Sequence, residues 1–456
     1  MIKFGTDGWR AILDKDFTAE QVERVSLAIG KYVADNFGFD KPIIIGYDPR
    51  RMADEYAELT ANLLYQKGFK VKLSSRVVPT PVLAYNAKHL NACAIMFTAS
   101  HNPPEYLGMK FIPDYAGPAT SEITDEIVSN LDAEYGFGEN GSLEKVDFMP
   151  DYYEHLKTLI NFDILKTLKS NIIFDGLYSA SIGYFDKILE ENKIPFKSLH
   201  MEHDVNFGGG MPDPKPKYLK ELIEKVKANP NSIGLANDGD ADRFGVINEK
   251  GEYVSPNVVI AILLKYLLKK GYTGSVVKTV GSSILIDNAA FALGVNVIET
   301  AVGFKHVGEA MRKNEVIIGG EESGGLSIKG HIPEKDGLLA NLLILEAMAD
   351  SGKTLCELEE EIYELAGARF YTDRIDLKTD NVKPILDYFK GLKKIGEYDV
   401  TEIDLKDGVK LMLGDRTKIL VRPSGTEPLL RIYFETDSLE KLEELKKVVN
   451  TPHPQL

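Results

Sequence analysis

The chain has 456 residues, of which 44% are hydrophobic and 27% charged, and it carries a formal net charge of −15. That length exceeds what one core fills and suggests three or four domains of ordinary globular composition. The acidic balance argues against a general nucleic-acid binder, because phosphate backbones are held by clustered Lys and Arg. Any anion site must therefore be a local cationic pocket.

Cys93 and Cys356 fit neither a metal spacing nor a disulfide framework, which points to a reducing compartment. The first eight residues lack the apolar core of a secretory leader, and the most hydrophobic helical stretch, 258–268, is interrupted by Lys265. The expectation is a cytoplasmic protein with no membrane and no nucleic-acid partner. Monomer and homodimer both remain open.

Hydrophobic periodicity then gives a repeated α/β pattern. The first unit has a strand at 43–47, a helix at 53–67, a strand at 69–73, a short helix from Pro81 and a strand ending at Thr98. The second begins with a strand at 171–175, followed by a helix near 182–191 and strands near 196–200 and 232–236. The third has helices from Asn257 and Ile284 and strands at 275–280, 295–300 and 316–318. The fourth differs: runs at 409–413, 417–421 and 430–435 separated by turn residues favour antiparallel pairing, and an amphipathic helix at 439–449 closes it. The predicted fold is α/β: three tandem related domains with mixed sheets (1–150, 151–252 and 253–366), plus a C-terminal α+β domain (367–456), around a central cleft.

Each unit ends a strand in an unusual loop. After the apolar run 92–97 comes Thr98-Ala99-Ser100-His101-Asn102-Pro103-Pro104. Its prolines forbid further strand or helix, so the Ser100 hydroxyl sits on a stiff loop at a strand end. Asp238-Gly239-Asp240-Ala241-Asp242-Arg243 places three carboxylates at alternate positions, a hard-cation pattern that favours Mg²⁺ or Ca²⁺. A calcium hand is disfavoured because Arg243 stands where its turn needs Gly and the flanks read as strands. Gly319-Gly320-Glu321-Glu322-Ser323-Gly324-Gly325 can present carboxylates and a hydroxyl to vicinal sugar hydroxyls. Arg422-Pro423-Ser424-Gly425-Thr426-Glu427-Pro428 combines an Arg fork, hydroxyls and exposed N–H groups into a phosphate nest, with Arg431 nearby. Taken singly, each loop is as easily a turn or a solvated charge run.

Together with Phe4-Gly5-Thr6-Asp7-Gly8-Trp9-Arg10, these four loops resemble, in order and spacing, the motifs of the α-D-phosphohexomutases, over essentially the whole chain. The resemblance implies that Ser100 is carried as a phosphoserine and that Mg²⁺ is held by its phosphate with Asp238, Asp240 and Asp242. It also implies that hexose 1-phosphate and hexose 6-phosphate interconvert through glucose 1,6-bisphosphate or its equivalent. Lys110 resembles the family's proton acceptor, with Arg10 and His101 beside it. As a base, Lys110 would need a lowered pKa. The implied sugar-phosphate contacts are Arg243, Lys278, Lys305, Glu321, Ser323 and Lys335, and the implied phosphate contacts are Arg422, Ser424, Gly425, Thr426 and Arg431. Glu322 and Gly325 follow the phosphoglucomutase pattern, where phosphomannomutase-like members usually have Met and His. Glucose is the expected hexose, with mannose or both as the alternative. A phosphoglucosamine mutase, a bisphosphate phosphatase and a non-catalytic sugar-phosphate binder are the remaining readings.

Overall fold

The computed structural model describes residues 2–5, 7–379, 381–414, 416–423 and 429–450. The first unit is a six-stranded sheet in the order Trp9–Ile12, Tyr106–Ile112, Cys93–Phe97, Ile43–Tyr47, Lys70–Ser74, Ser142–Val146. Its four strands from Cys93–Phe97 outward run parallel, and Tyr106–Ile112 runs antiparallel to both of its neighbours. Strand Ser142–Val146, unmarked by periodicity, is an edge strand with mostly exposed side chains. The second sheet orders Tyr253–Val254, Phe244–Ile247, Ser232–Asn237, Asn171–Asp175 and Phe196–Leu199. The third orders Val297–Thr300, Ser275–Thr279, Val316–Glu321 and Gly325–Ile328. In the second unit the helix starts at Phe185 rather than 182, after Gly183 at φ +79°.

One device recurs. In each of these sheets a fully buried parallel strand turns back into an antiparallel neighbour: Cys93–Phe97 into Tyr106–Ile112, Ser232–Asn237 into Phe244–Ile247, and Val316–Glu321 into Gly325–Ile328. Continuous apolar runs suit strands covered on both faces. The loops singled out above are the turns of these hairpins. The fourth sheet is antiparallel throughout, and Thr417–Pro423 pairs with Leu429–Thr436, the two strands that flank Ser424, Gly425 and Thr426 in sequence. Those three residues lie outside the described residues, as does the tail 451–456.

One apolar core runs through the first three units, from Met96 through Phe174 and Phe244 to Leu339, and the first unit has a second core of its own around Val25, Ile45, Phe69 and Phe97. The fourth unit has its own core around Leu411, Ile419, Ile432 and Phe434. It meets the third through charge: the Glu435 carboxylate accepts from Ser283 Oγ and from the Ile284 N–H (3.1 Å), and pairs with Lys418 at 3.1 Å. Among the described residues, no helix is long and apolar enough to cross a membrane.

The second and third units are also joined by rings. His155 Nε2 lies 2.9 Å from His331 Nδ1, and His331 Nε2 lies 2.9 Å from Asp336 Oδ2, which also accepts from Tyr152 Oη at 2.7 Å. Burial and then the neighbouring His331 push His155 down to about 4, from an ordinary 6.5. The unfolded chain therefore takes up this proton first as pH falls from 6.5, so this share of stability is present above 6.5 and is lost on the way to 4. The midpoint of thermal unfolding of the wild type is expected to fall more than that of His155→Gln between neutral and mildly acid pH. Equal falls in a calorimetric pH series would refute the assignment.

Candidate active site

The hairpin turns of the first two units touch. Ser100 is buried at φ +51°, and its Oγ donates to Asp238 Oδ2 at 2.6 Å, with His101 Nδ1 at 3.4 Å. The approach requires Gly239, since a Cβ there would lie 2.4 Å from the Ser100 carbonyl oxygen. Asp238, Asp240 and Asp242 are fully buried, and their carboxylate oxygens converge within 4.8 Å. Burial, and after it the charges of Asp242 and Asp240, hold the Asp238 carboxyl well above the usual range. Asp240 Oδ1 and Asp242 Oδ1 are buried with no hydrogen-bond partner among the described residues. Converging, unpartnered carboxylate oxygens fit a hard divalent cation.

The Oδ2 atoms of Asp240 and Asp242 meet cations. Lys110 Nζ lies 2.8 Å from Asp240 Oδ2, 2.9 Å from Asp242 Oδ2 and 2.8 Å from Asp7 Oδ2. Lys335 Nζ lies 3.2 Å from Asp242, 3.4 Å from Asp7 and 3.1 Å from Glu334. As a base Lys110 would need a lowered pKa, and these surroundings act in the other direction. Burial opposes its charge, but Asp240, Asp242 and Asp7 outweigh that cost, so the ammonium titrates above its ordinary range and keeps its proton. Lys335 is held the same way. His101 is the opposite case: burial first, then Arg243 and Arg10, push it well below its ordinary value, so it is a neutral imidazole.

Beyond His101 a cavity of about 410 Å³ opens between the units. Arg10, His101, Arg243, Lys305, Glu321, Ser323 and Lys335 line one side, and Arg374, Arg422, Arg431 and Tyr433 of the fourth unit line the other. Arg422 and Arg431 are cross-strand partners, which puts two guanidinium groups together. Arg10 Nη1 donates to Asn102 Oδ1 at 2.8 Å, Lys305 Nζ to Ser121 Oγ at 2.9 Å, and Ser323 Oγ to Glu321 Oε1 at 2.5 Å. The protein's overall acidity thus gives way to a cation-rich cleft.

The comparisons with known proteins agree with this geometry. Models of the phosphoglucomutase/phosphomannomutase alpha/beta/alpha domains I, II and III match residues 1–136, 150–251 and 255–366, and that of the C-terminal domain matches 375–451. A phosphoglucomutase/phosphomannomutase of Thermococcus kodakarensis is 30% identical over 97% of this chain and 96% of the relative. The chain belongs to the phosphoglucomutase/phosphomannomutase family. A phosphoglucosamine mutase of Methanococcus maripaludis is 33% identical over 97% of this chain and 96% of its own length. A solved structure from Thermus thermophilus, described as a phosphomannomutase, superposes with a TM-score of 0.88 at 33% identity, covering 99% of both chains. These relatives are mutases, intramolecular phosphotransferases, and the chain is an enzyme of that class.

Within that family's cleft, one expected contact is displaced. Lys278 does not line the cleft. It is buried between the third and fourth units, paired with Asp287 and, at 3.4 Å, with Glu299. Its place on the interior of strand Ser275–Thr279 leaves it a structural counter-ion. Lys278→Met is expected to cost about 3 kcal/mol of stability by stranding carboxylates, with KM for sugar phosphates essentially unchanged. A variant of wild-type stability and raised KM would return Lys278 to the substrate. Glu322, expected to mark sugar choice, accepts from Thr279 Oγ1 at 2.7 Å and so braces the neighbouring loop.

Two residues escaped notice in the sequence. Asp7 bridges Lys110, Lys335 and Arg10, and Glu334 is fully buried beside Lys335. Burial, only partly offset by Lys335, lifts Glu334 to about 7. Asp7 lay inside the opening motif, and Glu334 stands next to Lys335 in sequence, so an acid flanking a functional Lys was the available signal.

Proposed function

We propose that this enzyme interconverts hexose 1-phosphate and hexose 6-phosphate, with glucose as its preferred sugar, by way of a phosphoserine at Ser100 and a 1,6-bisphosphate. The observation that carries the reading is Ser100 Oγ at 2.6 Å from Asp238 in a converging carboxylate triad, across a cavity from Arg422. Asp238, Asp240 and Asp242 would hold Mg²⁺. When bound, that ion neutralises charge on the transferring phosphoryl group.

The chain's own residues do the rest. The phosphorus–Oγ bond of Ser100 breaks as a bond forms from phosphorus to the sugar hydroxyl, and the hydroxyl proton ends on Ser100 Oγ. His101, uncharged and beside that oxygen, is suited to pass the proton, while Lys110 stays cationic and fixes the orientation of Asp240 and Asp242. Arg422, with Arg431 beside it, would anchor the distal phosphate in either orientation of the bisphosphate, and Glu321, Ser323 and Lys335 would meet the sugar. Transfer back to Ser100 of the other phosphate completes the exchange.

A second reading, glucosamine 1-phosphate as the substrate, is favoured by the Methanococcus relative's name and identity. A panel of glucose, mannose and glucosamine 1-phosphates, assayed with Mg²⁺ and trace hexose bisphosphate, decides between them. A higher kcat/KM for glucose is the expected result, and a clear preference for glucosamine 1-phosphate would overturn it.

A further inference from the structure

We infer that Arg50 is the positioning residue of the Ser100 loop and that Phe207, supplied by the second unit, is its cover. A serine at φ +51° occupies backbone space that L-residues avoid, so its surroundings must hold it there. The Ser100 N–H donates to Thr98 Oγ1 at 2.8 Å, and Thr98 Oγ1 donates to Asp48 Oδ2 at 2.6 Å. The Ser100 carbonyl accepts from Arg50 Nη2 at 2.6 Å.

Arg50 is committed to this loop with its whole guanidinium. Nη2 also donates to Asn102 O (2.8 Å), Nη1 donates to Pro103 O (2.8 Å) and Tyr106 O (3.1 Å), and Nε donates to Asp48 Oδ2 (3.1 Å). An arginine has five N–H donors in a fixed fork, and all are used here, so Arg50 has none left for substrate. Lysine, with donors radiating from one point, cannot span four carbonyls. What remains is the flat face, and the Phe207 ring lies over it, 4.9 Å from Cζ to the centroid. Phe207 is itself buried at φ +49°, its turn tied down by Asp204, which accepts from the Phe207 and Gly208 N–H groups at 3.0 and 2.9 Å. A loop of the second unit thus closes the box that shapes the nucleophile of the first.

This inference rests on Ser100 as the phosphoryl carrier. Loosening the box lets water compete with the sugar. The phosphorus–Oγ bond then breaks as a bond to water oxygen forms, a proton of that water passes to Ser100 Oγ, and the products are inorganic phosphate and the unphosphorylated Ser100 hydroxyl. The test measures kcat, KM and inorganic phosphate release with glucose 1-phosphate for the wild type, Arg50→Lys and Phe207→Ala, with unfolding midpoints recorded alongside. Arg50→Lys is expected to lower kcat about 100-fold with KM little changed. Phe207→Ala is expected to lower kcat about 10-fold and to raise phosphate release relative to isomerisation by a similar factor. Should Arg50→Lys not fold, Phe207→Ala decides alone. An unchanged ratio of release to isomerisation, or a rise in KM that accounts for the loss, overturns the inference. A wild type that never acquires phosphate on Ser100 overturns the functional reading and this one with it.

Discussion

Ser100→Ala is expected to lose isomerisation by about 10⁵-fold or more, because the chain itself must hold the group in transit. The loss should fall on kcat, because the cations that line the cavity are elsewhere: Arg422 and Arg431 on one wall, Arg243, Lys305 and Lys335 on the other. Sugar-phosphate affinity, measured by calorimetry, should stay within a few-fold of wild type. The fold should persist, since the Ser100 side chain bonds only outward to Asp238 and His101 while the loop's shape depends on its backbone. Peptide mass analysis after incubation with hexose bisphosphate should find phosphate on Ser100 of the wild type. Activity above one part in a thousand in Ser100→Ala would exclude a phosphoserine route.

The second large effect separates catalysis from stability. Asp238→Asn keeps the shape of the side chain but removes one of three buried negative charges. Turnover should fall about 10³-fold as divalent-cation binding is lost, readable as the absence of a Mn²⁺ binding isotherm. The metal-free variant should nevertheless unfold at a higher temperature than the metal-free wild type. The reason is that burial and the charges of Asp242 and Asp240 make an ionised Asp238 unfavourable in the empty site. Added Mg²⁺ should reverse the order by stabilising only the wild type. A variant less stable than wild type without metal would mean that what Asp238 accepts from Ser100 Oγ and from the Arg243 N–H (2.9 Å) outweighs its repulsion by Asp240 and Asp242.

Much of this was legible in the chain. Buried parallel strands announce themselves as unbroken apolar runs, so the strands before Ser100, Asp238 and Glu321 and the loops after them could be read directly. The antiparallel return strand Gly325–Ile328 was hidden inside a Gly-rich motif, and Ser142–Val146 was hidden because a polar edge strand carries no apolar pattern. Roles that depend on partners from distant segments could not be read. Lys110 could be read only from its motif, because the acids that surround it, Asp7, Asp240 and Asp242, come from two other stretches of chain. Lys278 looked like a cleft cation until the fold turned it inward against Asp287 and Glu299. Arg50 and Phe207, 157 positions apart by subtraction of their numbers, carry no shared sequence signal at all.

Gly325 has a consequence for how such a chain can change over generations. A Cβ at that position would lie 2.4 Å from Lys335 Cδ and 2.6 Å from its Cγ, so the lysine stem occupies the room that a side chain at 325 would need. Lys335 is in turn a counter-charge of Asp7, Asp242 and Glu334. A single codon change that gives 325 a bulky side chain would evict that ammonium and leave three acids short of a partner. A change at 325 is therefore expected to lower both activity and stability unless 335 changes with it.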